Sequence, residues 1–129
     1  MPCTPGLTSR RAYGVETPGI HEWLTRTYGF REASLSETFH RLTHDPRGPY
    51  QWTPTPKSME HKYVVEDVPC GLVAMAALGA AAGVPTPVIA GLVSVASAMT
   101  GRDFVAEGRT LAALGLAGLD VARIVARVR

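Results

Sequence analysis

Between Val68 and Met99 the chain reads VPCGLVAMAALGAAAGVPTPVIAGLVSVASAM, and the fold turns on how this run is divided. Gly83-Val84-Pro85-Thr86-Pro87 cuts it into pieces of about 15 and 13 residues, each short of the roughly 20 apolar residues a bilayer crossing needs. The better reading is two helices folded against each other inside a core, with no membrane as partner. Ala76, Ala77, Gly79, Ala80 and Ala81 remove bulk from the first helix, which allows close helix approach.

Working outward, Glu66-Asp67 opens the first of these helices. Asp67 stands at the cap, and Pro69 lies in the first turn, where an amide has no partner to lose. His61 to Val65 is short, β-branched and extended in character. The stretch Asp45–Lys57 carries Pro46, Pro49, Pro54 and Pro56, so no regular element survives there, and Tyr50 and Trp52 suggest a loop that packs down. Ser34-Leu35-Ser36-Glu37 is a capping box opening a helix to about His44. Thr17-Pro18 opens an earlier one, with Ile20, Trp23, Leu24 and Tyr28 on one face and Gly29 as its stop. The first sixteen residues show no apolar period.

Downstream, Thr86-Pro87 opens the second apolar helix, which ends near Gly101. Arg102-Asp103 caps a helix from Phe104 to Leu114, and Gly115 and Gly118 separate it from a last one over Leu119–Val128. No strand pair is evident. The expectation is an all-α chain: an irregular segment over 1–16, then one multi-helix domain of about six helices over 17–129.

Composition narrows the function. A net charge of +2, with scattered basic residues, gives no argument for nucleic acid. Cys3 and Cys70 have no metal-ligand spacing, and Cys70, in an apolar run, reads as a buried thiol. His40 and His44 have the i, i+4 spacing that can hold zinc, but no Glu or third ligand accompanies them, so no metal is expected. The N-terminus lacks a basic start with an apolar stretch, and a cytoplasmic location is expected. There is no Gly-x-Gly-x-x-Gly, phosphate loop or Gly-x-Ser-x-Gly, so this stretch of chain does not hold a dinucleotide in the Rossmann manner by itself.

Chemistry concentrates in Lys57–Gly71. His61, Lys62, Tyr63, Glu66 and Asp67 fall within seven residues where a proline-rich loop feeds a helix start. Positive partial charge at a helix N-terminus keeps an aspartate ionised. Asp67 can be a working carboxylate or simply a cap; residue type alone leaves both open.

This segment, His61-Lys62-Tyr63-Val64-Val65-Glu66-Asp67-Val68-Pro69-Cys70-Gly71, resembles the C-terminal helical domain of the octopine/nopaline (opine) dehydrogenase family. Gly83-Val84-Pro85-Thr86-Pro87 is similar to the family's break between helices. Gly101-Arg102-Asp103-Phe104, Glu107-Gly108-Arg109-Thr110-Leu111 and Leu114-Gly115-Leu116 are similar to its closing segment, and Tyr13-Gly14-Val15, Trp23-Leu24 and Tyr28-Gly29 extend the likeness upstream. The resemblance covers roughly residues 9 to 118.

The resemblance implies an NAD- or NADP-dependent reductive condensation of an amino acid with a 2-oxo acid, the cofactor being bound mainly by a separate Rossmann-type domain. It implies that Asp67 partners a catalytic histidine, and that Lys62, with His61 and Tyr63, binds substrate. Lys62 stands where the family carries arginine, which keeps the charge but loses the two-pronged fork. The catalytic histidine is expected upstream of Met1, and His21 does not take its role. By this reading the chain alone is inactive, and an apolar face that normally meets the nucleotide-binding half favours a homo-oligomer. The other reading is an orphan helical module that serves only as a binding domain.

Overall fold

The computed structural model describes residues 11–128. Cys3 and most of the irregular start lie outside the described residues. Arg11 and Ala12 are helical, closed by a turn in which the Gly14 amide donates to the Arg11 carbonyl at 3.1 Å. The all-α expectation holds, and no strand occurs among the described residues. The described residues pack as two compact units, one formed by Glu16–Thr55 and the other by the described parts of Met1–Val15 and Pro56–Arg129.

In the unit Glu16–Thr55, α1 (Ile20–Tyr28) packs on α2 (Leu35–His44) around buried Leu24, Phe30 and Leu42. Helix α1 begins at Gly19 rather than at Thr17-Pro18, and Gly29 ends it in the left-handed region at φ 77°. The Ser34 box forms as read: its hydroxyl accepts the Glu37 amide at 3.2 Å, and Glu37 accepts the Ser34 amide at 3.0 Å. In the proline-rich loop the expectation is half met. Tyr50 reaches Tyr28, hydroxyl to hydroxyl at 3.0 Å, whereas Trp52 stays 86% exposed.

Asp45, which ends α2, accepts the Arg47 amide at 2.8 Å and two guanidinium contacts from Arg47, with Arg41 at 3.2 Å. These donors, Arg47 first, hold its carboxyl down at about 2. Both arginines also lie over the Phe30 ring, so the loop is tied to the small core through charge.

In the second unit, helix runs from Lys62 to Ala81 in three parts: α3 (Lys62–Val65), a π-helical turn (Val68–Leu72) and α4 (Val73–Ala81). This corrects the sequence reading at three points. His61–Val65 is not extended, because the His61 ring nitrogen accepts the Tyr63 amide at 3.3 Å and caps a helix that starts at Lys62. Asp67 is not the cap: it has helical backbone angles and its side chain makes no capping bond. Pro69 therefore sits inside a helix. Having no amide, and with a ring that crowds the carbonyl four residues back, it is accommodated where the ladder widens and the Val73 amide bonds Val68.

At 20 residues this helix is long and apolar enough, by length and composition, to cross a membrane. Lys62, Glu66 and Asp67, however, occupy its first turns. The uncharged part, Val68–Ala81, spans only about 21 Å against an apolar bilayer thickness of about 30 Å. Its buried side packs into a core made by Val68, Val73, Val93, Ala96 and Phe104.

Helix α5 (Pro87–Thr100) opens and closes as expected, ending at Gly101 with φ 67°. Gly79 is the close-approach position: a Cβ there would stand 2.8 Å from the Thr86 methyl and 3.0 Å from the Val84 carbonyl. Helix α6 (Phe104–Glu107) is far shorter than the expected Phe104–Leu114. Asp103 does cap it, accepting the Val105 and Ala106 amides. It stops because Gly108 presses against the long helix and the Arg109 amide turns to the Pro69 carbonyl at 2.9 Å. The last helix, α7 (Val121–Arg127), is capped by Asp120.

Two outcomes test this packing. A Cβ at Gly108 would meet the Phe104 carbonyl at 2.5 Å, the Pro69 carbonyl at 2.8 Å and a Val73 methyl at 2.9 Å. Gly108→Ala should cost about 1–3 kcal/mol in chemical unfolding, since two of these neighbours are backbone. Gly71→Ala, with open space around the new carbon, should be neutral or stabilising by up to about 1 kcal/mol. For Asp45, a folded pKa of about 2 against 3.8 means stabilisation that is complete above 3.8 and lost as pH falls through the interval. Asp45→Asn should therefore flatten the dependence of melting temperature on pH in that window.

Candidate functional site

The long helix brings the sequence-predicted residues to one place. Tyr63 and Asp67 lie one turn apart and line an open groove of about 460 Å³ with Val68, Cys70, Gly71, Leu72 and Met75. His61 and Lys62 gather at the same end through Tyr63. The His61 ring meets Tyr63 edge-on at 4.5 Å between centroids, and the Lys62 ammonium stands 5.7 Å from the centre of the Tyr63 ring. The aromatic thus holds a cation and an imidazole close to a carboxylate-bearing groove.

Asp67 is exposed, and its carboxylate has no hydrogen-bond or ion-pair partner among the described residues. Lys62 likewise has no carboxylate partner among them. An acid and a base that ignore each other are available to an outside ligand. Cys70 corrects a further expectation. It is exposed and lines the groove, because Val68, Pro69 and Val73 take the buried side of the widened turn.

The groove-lining residues Cys70, Gly71 and Met75 were missed by the sequence reading. The signal was the spacing Tyr63, Asp67, Gly71, Met75, every fourth residue along one helix. It was hidden because Pro69 argues against drawing that helix through. The histidines hold no metal cluster among the described residues. His40 and His44 stack on each other at 4.2 Å on exposed positions of α2.

The glycine turn between strand and helix that holds a pyrophosphate in the Rossmann manner does not occur among the described residues. The groove offers one carboxylate and otherwise mainly apolar walls.

The chain matches the family model for the α-helical domain of NAD/NADP octopine/nopaline dehydrogenases over residues 7–100. It belongs to that family. It is 36% identical over 114 residues to an opine dehydrogenase of Arthrobacter sp. strain 1C, covering 88% of this chain and 30% of that protein. A vitopine synthase of Allorhizobium ampelinum is 30% identical over the same shares, and the ocs protein of Agrobacterium tumefaciens strain Ach5 is 29% identical over 92% of this chain and 32% of its own. The chain thus spans about a third of the length of these opine dehydrogenase relatives, and the part it spans is the helical one.

Stability separates the roles of the two polar residues at the helix start. Asp67→Asn should change unfolding free energy by less than about 0.5 kcal/mol, as for an exposed side chain without partners. His61→Ala removes the cap and should cost about 1 kcal/mol. Early melting of the Asp67 variant would show a structural duty that its surroundings do not suggest.

Proposed function

We propose that this chain is the substrate-side, catalytic helical domain of an opine dehydrogenase-like oxidoreductase that works with a separate nucleotide-binding domain or chain. The reaction joins an amino acid and a 2-oxo acid and reduces the product, and NADH or NADPH on that other domain supplies the hydride. The cytoplasm, where reduced nucleotides and free thiols such as Cys70 persist, is the proposed setting. The observation that carries the reading is the unpartnered Asp67 carboxylate in a groove shared with Tyr63 and flanked by Lys62.

Each residue has a chemical duty in this scheme. Condensation requires a proton to leave the amine and water to leave the carbinolamine, work suited to a histidine with a pKa near 6.5. The nucleotide-binding domain would supply that histidine. Asp67 would bond its far ring nitrogen, fix the tautomer and stabilise the charged form. Lys62 would pair with a substrate carboxylate as a point charge, Tyr63 holding the ammonium in place. Met75, Leu72 and Val68 would exclude water from one side of the bound molecule.

The test joins this chain to a nucleotide-binding domain that carries the histidine and follows NAD(P)H oxidation with an amino acid and a 2-oxo acid. Asp67→Asn should lower kcat at least about 100-fold; loss of a comparable aspartate in a serine protease costs on the order of 10⁴. Lys62→Ala should act mainly by raising KM. The chain alone should bind neither nucleotide by calorimetric titration. Near-normal turnover in the Asp67 variant would refute the catalytic assignment.

A further inference from the structure

Gly71 is a glycine that the fold does not ask for. It lies inside the long helix, where glycine is a poorer helix former than alanine. Gly79, in the same helix, is glycine because a Cβ would stand 2.8 Å from the Thr86 methyl. Gly83, just beyond its end, has a positive φ of 65°. Gly71 has neither reason: its φ is not positive, and a Cβ there would meet no atom within 4 Å. The room it leaves opens into the groove, with Asp67 one turn before it and Met75 one turn after.

A second, independent observation is that the groove has a direction. Its polar side chains stand at one end, Lys62 beside Tyr63 and then Asp67. Past Gly71 the walls are the hydrocarbon of Leu72 and the thioether of Met75. No charged residue follows Asp67 in the helix as far as Ala81. Met75 is 56% exposed, so it is not spent on the core and is available to a ligand.

We infer that Gly71 determines which amino-acid side chain the groove accepts. The inference rests on the function proposed above, which sets the chemistry at Asp67 and the substrate carboxylate at Lys62. The side chain then leaves in the other direction, over the bare helix at Gly71 and on to Met75. Gly71 stands one turn, roughly 6 Å, past Asp67, so a long side chain has to cross it. In that scheme the Asp67 charge is committed to the histidine, and nothing further along the path balances a positive side chain. The substrate class is therefore an amino acid with a neutral, apolar side chain long enough to pass Gly71, and a methyl group there obstructs it.

The test compares methionine, alanine and lysine, each with pyruvate, in this chain joined to a nucleotide-binding domain. By kcat/KM the wild type should favour methionine over both others at least about tenfold. Gly71→Ala should lower the methionine-to-alanine ratio about tenfold and Gly71→Val further, since one methylene in an apolar pocket is worth roughly 10–200-fold. The alanine variant should melt no earlier than wild type, which a structural glycine would not allow. A second measurement needs no turnover. The secondary-amine dicarboxylate built from methionine and pyruvate, titrated into the full chain, should shift the Gly71 and Leu72 amide resonances, and Gly71→Val should abolish the Leu72 shift. An inactive joined enzyme with these shifts present would refute the proposed activity and still support the role of Gly71. Three results would overturn the inference: a wild type indifferent to the side chain, a Gly71→Ala variant that melts early or loses activity equally with methionine and alanine, or a titration that leaves the Gly71 region unmoved.

Discussion

A proline inside a helix organises the larger unit. Pro69 gives no amide to the ladder, and the helix continues past it only by widening one turn. The widened turn and the loop after α6 then lock together. The Pro69 carbonyl takes the Arg109 amide, and Gly108 lies so close that a single methyl would strike two carbonyls. A buried backbone acceptor gains from such a partner, which ties the loop after α6 to the long helix. Phe104, wholly buried, reaches Val68 and Val73 because α6 is short and ends there.

The same turn shapes the groove. An extra residue in one turn rotates everything after it relative to what comes before. Val68, Pro69 and Val73 thereby face the core, while Cys70 and Gly71 share a surface with Tyr63 and Asp67. Turns of this kind recur at functional sites because they re-aim side chains without ending the helix. Here the effect is to leave Asp67 in solvent on a rigid element rather than on a loop, which fixes its position without committing its charge to a neighbour.

How much of this was legible follows from the range of the forces involved. Local chemistry was read correctly: the Ser34 box, the Asp103 cap, the glycine stops at Gly29, Gly83 and Gly101, and the all-α class each depend on residues a few positions apart. The errors cluster where a distant contact overrules a local preference. Asp67-Val68-Pro69 is a helix opening by every local rule, yet His61 caps the helix a turn and a half earlier. Leu111–Leu114 has helical composition, but the chain turns at Gly108, which presses on the long helix, and the Arg109 amide bonds the Pro69 carbonyl there. Cys70 was placed inside from the character of its run, because the rotation introduced by the widened turn is invisible to a fixed helical period. That Tyr63 and Asp67 stand close together was legible; that they line one groove, with Asp67 exposed and without a partner among the described residues, was not.

Composition in α4 and α5 has consequences beyond the core. Small residues let the two helices approach closely, as Gly79 does against Thr86. A close-packed pair of narrow helices has more apolar circumference than one partner can cover, and the surplus appears as exposed Val88, Leu92, Val95 and Met99 on α5 and as Met75 in the groove. The groove sets Tyr63 and Asp67 among otherwise mainly apolar walls, and the long helix keeps its charge to Lys62, Glu66 and Asp67 at its start. Alanine and glycine in place of larger side chains thus leave apolar surface along both helices while charge stays at one end.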